Sequence, residues 1–390
     1  NTSAWVDGSA VTVVTGTIAD VLFALDARGL NLKPNVGAQV TDESIDAAAL
    51  RALDGKTMGT VTLTGVGQTI SGTNSDVSAV LATSGRESSA ALVITDTITA
   101  GTANTLAGQT SGVVMATVAA GTAASLVSTL TETTANAYTL TVLGAAEAAD
   151  LITLNDRATV AIDVSGVTTI TGTRAAINTV YTGGGFAGLG DEALVVDPAT
   201  SITAAEANAL AGLTTGAVTA TISSPAPSDL QNLAVAGNNF TYSIDGTAAA
   251  VAGLSPAVLG GATNIAVTGV ATAAQAATIL GAQNSGTTTI ASVSGTAAQI
   301  LALPIDANDT LTTVTVTGVT TVQQALDLVT LDGLSGVGTV TIASVSDTAQ
   351  ALTGASNAAL NLVSGTVTAT TAATAAQAVT LADFTNAVTY

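Results

Sequence analysis

Neither cysteine nor histidine occurs anywhere in the 390 residues. Their absence removes disulfide frameworks, the commonest transition-metal ligands and the usual general base near neutral pH. Basic residues are scarce as well: 7 Lys and Arg stand against 27 Asp and Glu, a net charge of −20. Nucleic acid and anionic membranes require clustered Lys or Arg, so neither is expected as a partner, and cations are favoured instead. Aromatics make up 2% of the chain, too few for a core of large side chains or for a sugar-binding platform. No uninterrupted apolar run reaches the roughly 18 residues that would suggest a membrane span. Ser/His/Asp sets, G-x-S-x-G elbows, S-x-x-K motifs and P-loops are all missing, and an enzyme is not expected. The chain opens Asn1-Thr2-Ser3 without methionine, which reads as a processed or excised portion of a longer product.

What is present is small and apolar. Hydrophobic residues reach 47%, most of them Ala and Val, which argues against disorder despite the charge. Such residues suit a thin core built from many similar layers at close approach. The stretch 312–331, TTVTVTGVTTVQQALDLVTL, sets the pattern. Val314 and Val316 alternate with threonines, as in a strand with one buried face. Thr320 and Gln323 then have capping-box spacing, and Val319, Val322, Ala325, Leu326 and Val329 form an apolar stripe at helical spacing.

Helix starts of this kind recur along the chain. They are expected at Thr17/Asp20, near Ser44, at Thr73/Asp76, near Thr102 and Thr122, and at Gly144/Glu147, Thr173, Thr203/Glu206, Ser228/Gln231 and Thr247. Thr272/Gln275, Thr296/Gln299, Thr320/Gln323, Asp347/Gln350 and Thr374/Gln377 complete the series. About fifteen units with a period near 25 residues result, within the range of solenoid repeats. Between them lie Val/Thr strands at 60–65, 158–166, 264–269, 287–295, 338–347 and 365–370. Alternating turn types at Gly269 and Gly318, against Gly295 and Asp347, suggest two strand–helix arms per coil, beside the simpler alternative of one arm per coil.

The expected fold is therefore an α/β repeat: a solenoid of stacked strand–short-helix units with a parallel β-sheet and a thin core rich in Ala, Val and Thr. Residues 1–100 fit the repeat less well and read as an N-terminal capping or attachment region, with the solenoid proper at 101–390. Segment 183–192 reads as a flexible insertion, 26–40 as a loop or boundary, and 9–14 as either a donor strand or the first strand of its own sheet.

Calcium is the leading chemical possibility, because hard cations take carboxylate and carbonyl oxygens. The candidate ligands are Asp306, Asn308 and Asp309 in PIDANDT, and Asp191 with Glu192 beside Gly190; Asp42/Glu43/Asp46 and Asn74/Asp76 are weaker. Asp and Asn also serve turns and caps through their own backbone hydrogen bonds, and that reading stands beside the ionic one. Threonine rows at Thr313/Thr315/Thr317 and Thr60/Thr62/Thr64 invite an ice-binding reading, against their ordinary role on a wet strand face.

The segments VSGTAAQILAL, VSDTAQALTG and TGVTTVQQALDLV resemble the V-S-D-T-A-A-x-(I/V)-x-x-x-L repeats of large secreted bacterial proteins, namely RTX-like adhesins and S-layer-like surface proteins of proteobacteria and cyanobacteria. The resemblance covers roughly residues 100–390 and is strongest after 245. It implies type I secretion, an extracellular cell-surface location and calcium binding. The function it implies is structural: a surface layer, filament or adhesin stalk whose copies self-associate. The alternative is a binding module, an adhesin or phage-fibre-like shaft with a face for cell-surface glycans.

Overall fold

The computed structural model describes residues 5–64, 67–83, 89–223, 226–383 and 388–389. The N-terminal tripeptide, Gly65 of the expected strand at 60–65 and Pro225 lie outside them. Two compact parts divide the chain, residues 1–195 and 196–390. Both are α/β, with parallel strands alternating with helices, and no sheet closes into a barrel among the described residues.

In the first part, Val13–Gly16, Gly37–Val40 and Val61–Leu63 form one sheet, and Ser44–Asp46, Thr69–Gly72, Ala91–Ile94, Val114–Thr117 and Ala137–Thr139 another. Thr141–Glu147 pairs with Ile162–Gly172. In the second part, Ile244–Thr247, Ile265–Thr272, Thr288–Gly295, Asp309–Thr320, Val337–Asp347, Val363–Ala369 and Val388–Thr389 pair in chain order. Partners lie between 20 residues apart (Ser201 with Thr221) and 26 (Thr313 with Thr339). In the sheet that begins at Ile244–Thr247 the strands pair in chain order, whereas in the first part Gly37–Val40 pairs with Val61–Leu63 and Ser44–Asp46 with Thr69–Gly72, each passing over one strand of the other sheet. The separation of partners is the spacing of one strand–helix unit, in keeping with the one-arm alternative.

Inward positions are apolar from strand to strand. Val293, Val314 and Val340 are register partners and all buried, as are Val345 and Val367. The helices add a stripe at every third or fourth residue, Val322, Ala325, Leu328 and Leu331 in the helix Val322–Asp332. Two tyrosines reach the core, and each has an outlet for its hydroxyl: Tyr138 donates to the Ala103 carbonyl and Tyr242 to that of Val258, the latter at 2.7 Å.

Threonine caps do most of the work of starting helices. Thr17, Thr73, Thr122, Thr173, Thr203, Thr247, Thr272, Thr296 and Thr374 are N-caps as expected, and Thr203, Thr272, Thr296 and Thr374 close full capping boxes. Other starts shift. The caps are Asp46 rather than Ser44, Thr99 rather than Thr102, Glu147 rather than Gly144, and Ala226 rather than Ser228. Thr321/Gln324 replaces Thr320/Gln323, and Thr348 replaces Asp347. The strand Asp309–Thr320 runs on past Gly318, so its alternation turns Thr320 inward and leaves Val319 70% exposed.

Gly318 (φ +77°) and Gly269 (φ +75°) are the turns seen in the sequence, and both prove to be bulges where the strand register shifts. Their left-handed conformation favours glycine. Segment 183–192 is no insertion: Phe186–Ala187 pairs with Ile162–Gly172. Within 26–40, Leu30–Asn31 pairs with Val6–Asp7 and Gly37–Val40 with Val13–Gly16, so 9–14 leads into the first strand of its own sheet. Residues before 100 already carry capped strand–helix repeats.

Candidate functional site

The acidic loops are folded back on themselves. Asp306 Oδ1 accepts the Asn308 amide at 2.7 Å, and Asp309 Oδ2 accepts the Asp306 amide at 2.8 Å. Asp309 is 5% exposed and sits in a buried column after Ile265 and Thr288. Burial raises its carboxyl above the usual range, the Asp306 amide opposes that, and the Asp306 charge adds to it. Glu192, 1% exposed, accepts the amides of Gly190 and Asp191, while Asp191 is exposed. Among the described residues no three Asp or Glu converge to hold a metal ion.

Asp42 and Asp76 have other duties. Asp42 Oδ2 accepts the Ile18 amide at 2.8 Å, and Asp76 pairs with Arg51 and with its own cap Thr73. These bonds belong to a recurring scheme that joins several repeats to the following one. Counting helical residues from N1, the first amide of a helix donates to a side chain of the next repeat: Ile18 to Asp42, Asn74 to Asp96, Val322 to Asp347 and Ala349 to Thr371. These amides are orphans of the helix end, and the neighbouring repeat satisfies them. The fifth position, N5, also faces the next repeat. Arg51 pairs with Asp76, Asn104 accepts the amides of Thr131 and Glu132, and Asn208 accepts that of Ala234.

Outward hydroxyls point the opposite way, donating to carbonyls of the preceding strand: Thr62 to Ala38, Thr64 to Val40, Thr313 to Ala291 and Ser344 to Gly318. Thr313, Thr315 and Thr317 are exposed, as are Thr60 and Thr64, whereas Thr62 is half-buried. Several hydroxyls of the rows are thus committed to the sheet.

A groove of about 610 Å³ runs along Val337–Thr341 beside Asn361–Ser364. It exists because Val363–Ala369 begins its pairing only at Ile342. Asp332 Oδ1 takes the Val340 amide there at 3.0 Å, a carboxylate standing in for the missing strand.

Two features escaped sequence reasoning: side chains that cap a helix one repeat away, and apolar side chains left exposed on helices. Phe23 is 80% exposed and Val379 66%. Aligning the helices by their caps would have flagged Phe23, because N6 is Ala52, Ala79, Thr105, Thr153, Thr179 and Thr278 in other helices. No protein family, curated protein or solved structure matches this chain.

Proposed function

We propose that this chain is a structural solenoid of a secreted cell-surface protein, whose copies associate into a filament or lattice or extend as an adhesin stalk. The observation that carries the reading is the repeated bond from one repeat to the next at N1 and N5, from Ile18–Asp42 to Ala349–Thr371. The acidic surface and the lack of cysteine suit an extracellular polymer that folds without oxidation.

Negative-stain electron microscopy of the 390-residue chain, with calcium and with chelator, tests this. Ordered filaments or sheets are expected in both conditions, since the bonds that join one repeat to the next are made between protein groups. Isolated particles in both conditions would contradict self-association. Order found only with calcium would return Asp306, Asp309, Asp191 and Glu192 to the role of ion ligands.

A further inference from the structure

In two places a second short helix takes up residues that elsewhere begin a strand. After Ala248–Ala252 comes Pro256–Gly261, capped by Ser255, and after Ala349–Thr353 comes Asn357–Asn361, capped by Ser356. Where a single helix joins two strands, pairing starts at the first residue of each, as in Ile265 with Thr288 and Thr288 with Asp309. After the double helices it starts late. Val363 meets Ile342, five residues into Val337–Asp347, and Ile265 meets Ile244, beyond the strand Asn239–Thr241. Val337–Thr341 and Asn239–Thr241 therefore pair with the preceding repeat on one edge and, among the described residues, with no strand on the other.

Each open edge lines a hollow, and the two differ in chemistry. The one at Asn239–Thr241, about 460 Å³, is lined by Val235 and Phe240 among others and by no charged side chain. The one at Val337–Thr341, about 610 Å³, carries Asp332. This gap lies inside the sheet rather than at an end, because Val363–Ala369 bounds it and has its own partner in Val388–Thr389. Ile342 and Val340 present their amides to the same edge by strand alternation. That of Ile342 donates to the Leu362 carbonyl at 2.8 Å, and that of Val340 to Asp332 Oδ1 at 3.0 Å. A carboxylate thus holds the place of a backbone carbonyl.

Asp332 is also the last residue of its helix, Val322–Asp332, where the helix dipole disfavours an anion and favours a cation. At the end of the helix Ile18–Leu25 the corresponding charge is matched: Asp26 takes Lys56 Nζ at 2.8 Å from the following repeat. Residues 175–390 contain no Lys or Arg, so no cation of this stretch can match Asp332.

We propose that the edge Val337–Thr341 binds an extended peptide of another protein, about five residues or 17 Å long, with a Lys or Arg opposite Asp332. An open strand edge complements an extended backbone, and the carboxylate selects the charge. A carbonyl of the peptide takes over the Val340 amide, a peptide amide donates to the Val340 carbonyl, and the released carboxylate pairs with the incoming cation. This partner site goes beyond self-association and stands without it.

The test is fluorescence anisotropy of the full 390-residue chain with a labelled, end-blocked peptide Thr-Val-Lys-Val-Thr. Saturable binding is expected below about 1 mM. Replacing the peptide's Lys by Glu is expected to weaken it about tenfold or more. Methylating the peptide's backbone amides is expected to abolish it, since they can no longer donate to the edge. Asp332→Asn keeps an acceptor for the Val340 amide, so folding, checked by circular dichroism, is expected to be unchanged while the preference for Lys over Glu is lost. No saturation by about 1 mM, a methylated peptide that binds like the parent peptide, or an Asp332→Asn chain that keeps the preference would each overturn the proposal.

Discussion

Asp347 and Val322 belong to successive repeats, and the carboxylate of the first accepts the amide of the second at 3.1 Å. Its other oxygen takes the Thr348 amide at 2.7 Å, so one side chain ties a helix start to the strand of the following repeat. Asp347→Ala is expected to cost about 1–2 kcal/mol, the range for a lost helix cap. Asp347→Asn, which keeps one acceptor, is expected to cost less. Urea unfolding measures both; equal costs would show that the charge alone matters.

Thr320 is fully buried, its hydroxyl has no hydrogen-bond partner, and its register partner is Val345. Thr320→Val keeps the shape and removes an unsatisfied polar group. It is expected to stabilise the protein by about 1 kcal/mol. A destabilised variant in thermal unfolding would contradict the isolation of that hydroxyl.

Two glycines of neighbouring strands separate two kinds of constraint. Gly318 has φ +77° with open space around an added Cβ, so Gly318→Ala is expected to cost about 1–2 kcal/mol from the backbone alone. Gly338 has ordinary φ, but a Cβ there would come within 2.1 Å of the Thr312 carbonyl oxygen. Gly338→Ala must push two strands apart and is expected to cost more than Gly318→Ala. The reverse order in denaturant titrations would refute the assigned register.

Asp309 is held above the ordinary carboxyl range chiefly by burial, so the native state favours its protonated form. Its contribution to stability is present at acid pH and is lost as pH rises above the ordinary value through the raised one. Asp309→Asn keeps an acceptor for the Asp306 amide and removes the buried charge. The melting-temperature gap between Asp309→Asn and the parent is expected to widen in favour of the variant from about pH 4 to pH 7. A gap that stays constant would mean that Asp309 titrates normally.

Much of the fold was legible because it is local. A threonine followed three residues later by Gln or Glu marks a cap whose bonds close within four residues, and those at Thr203, Thr272, Thr296 and Thr374 stand where expected. The shifts have local causes too. Thr320-Thr321 and Gln323-Gln324 offer two equivalent boxes, and only strand alternation beyond Gly318 decides between them. Thr102 reads as a start and Glu147 as the partner of Gly144, whereas Thr102 is the N3 residue whose amide Thr99 caps, and Glu147 is itself the cap. What stayed hidden is nonlocal. Asp347 looked like a cap for its own helix because nothing in its neighbourhood shows a bond to Val322, 25 residues away. The acidic loops read both ways in the sequence because turn chemistry and calcium chemistry use the same residues.

The most direct measurement is sedimentation velocity of the 390-residue chain over a wide concentration range in low and high salt. The account predicts a mass that starts at 37.5 kDa and grows with concentration, as self-association requires. A single species of 37.5 kDa at every concentration would contradict it.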